Sequence, residues 1–242
     1  MGSLDEHGVL TGRQAIDELM STAFVMLVNI CLNRRESNQQ RSHTMAAISL
    51  KKGEKISLQK VDPGVKNLLI GLGWKERCDT GDDFDLDASV FLLNDQGIVE
   101  EGRDFVFYNP RHRKSLCGSV RHLGDNKKGG TGASDCEQIE IDLETLPARI
   151  DKAVVAITIY ESKKRRQTFG MVEDAYARVV NRDFDREIAR FSLQEEYKQE
   201  DSLIMIEVYR HSGEWRVGSV GQGFINGLYG LAKNYGLDVD PE

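Results

Sequence analysis

Proline is scarce in this chain, four residues in 242, which excludes a proline-rich linker or a polyproline architecture. Cysteine is scarce too. Cys31, Cys78, Cys117 and Cys136 form no CxxC pair, so a disulfide scaffold is excluded and a reducing cytoplasm is expected. A zinc site drawn from His112, Cys117, His122 and Cys136 matches no compact ligand spacing. Positive charge is in deficit: 32 Lys and Arg against 39 Asp and Glu leave a formal net charge of −7. A non-specific nucleic-acid binder needs a basic surface to displace counterions, so no nucleic-acid partner is expected. The one basic run, Lys163-Lys164-Arg165-Arg166, reads as a solvated loop after a strand, with a site for an acidic surface or anionic lipid as the alternative.

Long apolar runs are also lacking. Leu19 to Leu32 is broken by Ser21, Thr22 and Asn29 and falls short of the ~20 residues that span a bilayer. It starts behind Asp17 and Glu18, unlike a secretory signal. Catalytic signatures are absent as well. There is no GxxxxGK[ST] and no G-x-S-x-G elbow, and Gly71-Leu72-Gly73 lacks the third glycine of a dinucleotide fingerprint. No enzyme activity is expected on these grounds.

Glycine is plentiful. Its 23 residues fall largely in short clusters between apolar runs, the punctuation of a chain with many turns. Strand patterns occur at Met45–Leu58 with Gly53 as a turn, Asn67–Trp74, Val90–Leu93, Asp104–Tyr108, Gln138–Leu143, Lys152–Tyr160, Ala175–Val180 and Ile188–Leu193. Leu203–Arg210 and Glu214–Val220 read as a hairpin closed by His211-Ser212-Gly213. Short length and β-branched or aromatic enrichment predict a mainly β fold, a two-sheet β-sandwich with few short helices. Ile225, Leu228, Tyr229, Leu231, Ala232 and Tyr235 recur at helical spacing before Gly236, which predicts a C-terminal helix over one face or end of the sandwich. A short helix is also compatible with Phe169–Tyr176.

Residues 1–44 differ from the rest. Ala15, Ile16, Leu19, Met20, Ala23, Phe24, Met26, Leu27 and Ile30 give a mostly helical apolar pattern, and a polar stretch, Arg34 to Thr44, follows. Three readings stay open: an amphipathic helix docking on a partner or membrane surface, an extra helix covering the domain, or a non-native extension whose true start is Met45. The last is favoured slightly.

The most informative stretch is Asp79-Thr80-Gly81-Asp82-Asp83-Phe84-Asp85-Leu86-Asp87-Ala88-Ser89, with five aspartates in nine residues. Asp83, Asp85 and Asp87 alternate with Phe84, Leu86 and Ala88. A period of two puts carboxylates on one face and apolar groups on the other. Like charges so close repel, and a divalent cation relieves them. Calcium takes six to eight oxygen ligands at about 2.3–2.6 Å with tolerant geometry. Carboxylates two apart on a straight strand are about 6.6 Å apart at the backbone, so other loops must contribute. Gly124-Asp125-Asn126 and Ser134-Asp135-Cys136-Glu137 supply oxygens, with Gly129-Gly130-Thr131-Gly132 between them. An EF-hand is excluded, because the sixth and twelfth positions from Asp83 hold Ala88 and Asn94. A paired-carboxylate hydrolase stays open on spacing alone.

At these residues the chain resembles the TerD family of tellurite-resistance and stress-response proteins. The matching stretches are Ile48-Ser49-Leu50-Lys51-Lys52-Gly53, Gly71-Leu72-Gly73-Trp74, Asp83 to Ser89, His122-Leu123-Gly124-Asp125-Asn126 and Gly221-Gln222-Gly223-Phe224. The resemblance implies an extension over 1–44 and a calcium-binding β-sandwich domain over 45–242. It implies calcium as the bound ion, with Asp83, Asp85, Asp87, Asp125, Asn126, Asp135 and Glu137 as ligand candidates. It further implies a non-catalytic, cytoplasmic role in stress response, through protein assemblies that reach the periphery of the inner membrane. The alternative is a metal-dependent enzyme or a phosphate or nucleotide binder at the same acidic site. One departure stands out: Lys127, Lys128 and Ala133 occupy a stretch that is commonly more acidic in the family. Fewer carboxylates there predict one tightly held ion rather than two.

Overall fold

Strand formation follows the alternation closely. The computed structural model describes residues 46–75, 83–125, 135–194 and 197–239. Residues 1–44, Asp79, Asp82 and Asn126 lie outside these described residues. Two six-stranded sheets face one another, as the strand pattern predicts. In the first sheet the order is β1 (Ile48–Leu50), β10 (Arg186–Ser192), β9 (Tyr176–Asn181), β3 (Asn67–Gly73), β7 (Glu137–Asp142) and β6 (Val120–Asp125). In the second it is β2 (Lys55–Ser57), β12 (Glu214–Phe224), β11 (Ser202–His211), β8 (Lys152–Ile159), β4 (Leu86–Leu93) and β5 (Phe105–Phe107). Neighbours are antiparallel, apart from the parallel pair β1–β10.

The core lies between the sheets. Leu68, Ile70 and Leu72 of β3 and Ile139 and Ile141 of β7 point inward from one side. Leu86, Ala88, Val90 and Leu92 of β4 and Val155 and Ile157 of β8 meet them from the other. Each large aliphatic side chain buried in this way contributes about 1.5–3 kcal/mol.

β4 is buried on both faces. Its other face, Phe91 and Leu93, packs with Phe105, Val154, Ala156 and Ile204 under Leu231 and Ala232 of the C-terminal helix. The predicted helix therefore covers the outer face of the second sheet. Phe91 stacks on Phe105 at 4.6 Å and meets Tyr235 at 4.8 Å.

Three α-helices occur among the described residues: α1 (Leu58–Val61), α2 (Ser162–Arg165) and α3 (Gly227–Asn234). Ser57 caps α1 by accepting from the Lys60 N–H. Gly236, at φ +81°, stands just past the end of α3, where a left-handed residue closes a helix. The hairpin between β11 and β12 turns on Ser212 and Gly213, both at positive φ. That is the two-residue turn whose twist matches the strands.

The chain passes between sheets at once, from β1 in the first to β2 in the second. Gly53 N–H donates to Ser219 O at 2.9 Å, and Ser219 N–H donates to Glu54 O at 3.0 Å, so β12 holds the crossing segment.

Several expectations are modified. The strand expected at Val90–Leu93 begins earlier, at Leu86, and takes in Asp87. Gly124 and Asp125, read with Asn126 as a loop donor, end a strand, β6, that the pattern did not predict. Phe169–Tyr176 holds only one 3₁₀ turn, Phe169–Met171. The basic run is largely helical, in α2, rather than a loop.

Candidate metal centre

The acidic segment enters the second sheet as the alternation requires. Phe84, Leu86 and Ala88 belong to the core. Asp83 is exposed, Asp85 half-buried and Asp87 buried. Asp85 O accepts from Tyr160 N–H at 2.8 Å, so the segment is already paired with the chain leaving β8 before β4 begins. Asp87 stands opposite Thr158 of β8. Beside them, α2 turns the chain sharply. Glu161 and Arg166, which bracket it, are both left-handed, a conformation that costs non-glycine residues about 1–3 kcal/mol and persists where surroundings hold it. Arg165 brings its guanidinium to 3.7 Å from Asp85 and 3.9 Å from Glu161. The basic run thus answers the acidic one across the end of the sheet.

The second group of candidates belongs to the first sheet. The Asp135 side chain is fully buried. Its Oδ1 accepts from Arg178 Nε at 2.7 Å and Tyr176 OH at 3.2 Å. Its Oδ2 accepts from Arg178 Nη2 at 2.7 Å and Gln138 Nε2 at 2.9 Å. A carboxylate has about four acceptor positions, and here four donors use them. The pairing holds the Arg178 pKa above the usual arginine value, chiefly through the hydrogen bonds to Asp135. Burial, followed by the Asp135 charge, raises that of Tyr176.

Glu137 points inward. Its Oε2 lies 2.8 Å from His122 Nε2, and both side chains are fully buried. Gly124 N–H donates to His122 Nδ1 at 3.3 Å, which leaves the ring proton on Nε2, facing the carboxylate. Asp125 ends β6, opposite Glu137 in the β6–β7 register, and Asn126 is outside the described residues. Among the described residues, no three His, Cys, Asp or Glu side chains are grouped to hold a metal ion. Asp83, Asp85 and Asp87 fit calcium by donor type, all hard oxygen. Asp135 has the same donor type, and its oxygens accept from Arg178, Tyr176 and Gln138.

Sequence reasoning missed Asp201. Its carboxylate accepts from Ser162 Oγ at 2.9 Å and from Gly227 N–H at 2.7 Å, tying the start of α2 to the start of α3. Asp201 and Asp87 line one cleft. A charged residue placed just before an apolar strand, with glycine-rich chain downstream, is a weak signal for this role. Arg178 was missed as well, although Gly71 and Gly73 signal it. A methyl group on Gly71 would overlap the Asp135 carboxylate, and one on Gly73 would overlap the Tyr176 ring.

An end-loaded two-sheet sandwich with carboxylates on its entering strand is the class of protein that fold and site define. The model of the TerD domain family matches residues 45–235. Tellurium resistance protein TerD of Serratia marcescens is 44% identical over 193 residues, covering 80% of this chain and 99% of that protein. General stress protein 16U of Bacillus subtilis (strain 168) is 43% identical over 193 residues, covering 79% and 98%. A solved structure described as a homologue of telluride resistance protein TerD, from Streptomyces coelicolor A3(2), superimposes with a TM-score of 0.57 at 18% identity. It covers 70% of this chain and 96% of that one, and it speaks for the fold alone. The chain belongs to the TerD domain family.

Proposed function

We propose that this chain is a calcium-binding stress-response protein, implicated in tellurite resistance, that acts as a non-catalytic interaction module. The observation that supports it most is the acidic segment, with Asp83, Asp85 and Asp87 alternating with core residues where the chain enters β4. Bound calcium would neutralise that crowded negative charge. Asp83, Asp85 and Asp87 would hold it, with any further ligands coming from neighbouring segments. The physiological part draws on the relatives, which are named for tellurium resistance and for general stress. A cytoplasmic setting, with partners in assemblies peripheral to the inner membrane, belongs to the same reading. No helix among the described residues is long and apolar enough to cross a membrane.

Calorimetry of the full chain tests it. Calcium should bind in the micromolar range or tighter and raise the melting temperature. At a hundredfold excess over Kd the stabilisation is about 2.7 kcal/mol. Asp85→Ala combined with Asp87→Ala should abolish both effects. Identical melting before and after exhaustive chelation, with no heat of binding, would remove calcium from the account.

The alternative, an enzyme or a phosphate or nucleotide binder at the same acids, draws on Lys163 and Lys164 at the rim of the cleft. Both amines already have partners, Asn226 and Glu161, which leaves this reading second. Calcium-dependent turnover of a phosphate ester would move it first.

A further inference from the structure

α3 does not close the whole outer face of the second sheet. Between α2, the first turn of α3 and strands β4 and β8 lies a cleft of about 480 Å³, within the size range of small-ligand sites. Its depth is negative. Asp87 and Asp201 line it with 8% and 5% of their surface exposed. Thr158 lies buried between β4 and β11, opposite Asp87. Its walls are aromatic, formed by Tyr108, Tyr160 and Tyr229.

The basic groups of the cleft are at its mouth. Lys163 and Lys164 are exposed. Lys164 Nζ sits between both Glu161 oxygens at 3.0 and 2.9 Å, and Lys163 Nζ donates to Asn226 Oδ1 at 3.1 Å. An anion entering the cleft would pass Lys163 and Lys164 and then meet two buried carboxylates, which repel it. A cation is attracted by the carboxylates and by the aromatic rings, and more strongly as water is displaced. Two of these rings already receive cations. The Arg165 guanidinium lies 5.4 Å from the Tyr160 centroid, and Lys233 Nζ lies 5.8 Å from that of Tyr229. A bare metal ion would use the carboxylates and leave the rings and Leu228 without a role. A cation on an alkyl chain uses them together.

We propose that this cleft binds a primary alkylammonium group, its charge against Asp87 and Asp201 and its methylenes along the three tyrosines. The Thr158 hydroxyl adds an acceptor at the same depth. The shape of the site is set partly by one of its own charges, since Asp201 ties α2 to α3 through Ser162 and Gly227. This goes beyond the calcium reading and shares only Asp87 with it.

Titration calorimetry of the full chain in chelator tests the proposal. The probes are cadaverine, an acetylated and amidated glycine-lysine-glycine peptide, and pentanediol as the uncharged control. At least one amine should give saturable heat and the diol none. A tighter fit of cadaverine assigns a free amine, and a tighter fit of the peptide assigns a lysine side chain. Asp87→Asn should abolish binding. Tyr229→Leu, at a half-buried helix position, should weaken it about tenfold while leaving the calcium titration unchanged, and it keeps the test open should Asp87→Asn fail to fold. No heat from either amine overturns the proposal, as does equal heat from the diol, or amine binding that Tyr229→Leu leaves untouched. Amine binding without calcium binding defeats the calcium reading alone, and the converse defeats this one alone.

Discussion

The two sheets finish their outward faces in opposite ways. The first meets water through a lattice of charge. Arg178 clasps Asp135 and reaches Glu187 at 3.4 Å, and Arg190 holds Glu187 while lying 4.2 Å from the Tyr176 ring centroid. Arg121 of β6 and Arg182 of the turn after β9 grip Glu140. The second sheet hides part of its face under α3, on Phe91, Leu93, Val154 and Ile204. Every second residue decides which finish a strand receives. The charged lattice leaves a cleft of about 230 Å³ beside Arg121, Glu140 and Arg182. A helix laid across a sheet stands off it and leaves room at its end, and there the cleft of about 480 Å³ opens. Of these two clefts, the larger goes with the apolar finish.

Removing Arg178 breaks the comparison hardest. Arg178→Ala leaves the Asp135 carboxylate buried without its cation, and loss of one member of a buried pair costs about 3–5 kcal/mol. Urea unfolding followed by circular dichroism measures it. A loss below about 1 kcal/mol would place this pair with ordinary surface pairs and make the lattice energetically idle.

On the second face, Leu231→Ala removes a fully buried side chain from under the helix. It should cost about 2–4 kcal/mol. Faster hydrogen exchange across α3, with the first sheet unchanged, would show that the two finishes unfold separately. Uniform loss of protection across both sheets would show one cooperative unit.

The smallest effect is electrostatic. Burial, with the Glu207 charge adding to it, pushes the Tyr235 hydroxyl from 10.0 up to about 12. The unfolded chain ionises first, so the stability present below pH 10 is lost as the pH rises toward 12. Tyr235→Phe should flatten that decline in chemical denaturation run across the interval. An unchanged slope would mean that Tyr235 is solvated and the helix end open.

How much of this was legible depends on range. β8 is readable because Val154, Val155, Ile157 and Ile159 carry their own strand signal. The β11–β12 turn is readable because Ser212-Gly213 suits positive φ. α3 is readable because its apolar spacing and Gly236 agree. β6 is not, since Arg121, His122 and Gly124 carry weak strand preference and gain it only from pairing with β7. The acidic alternation from Asp83 to Ala88 predicts its two faces correctly. The partnership of Asp135 with Arg178 spans 43 residues, beyond any local pattern. Alternate glycines in a buried strand were its available trace, because they mark where another group approaches closely. Asp201 and the tyrosines of the cleft meet only through tertiary packing.

The crossing from β1 to β2 imposes an order of assembly. These strands precede the other described strands, yet their neighbours are β10 and β12. Each therefore waits for its sheet partner until most of the other strands have been made. Closing so large a ring is the slowest kind of contact to form. The sandwich is sealed along these two edges by the first of its described strands.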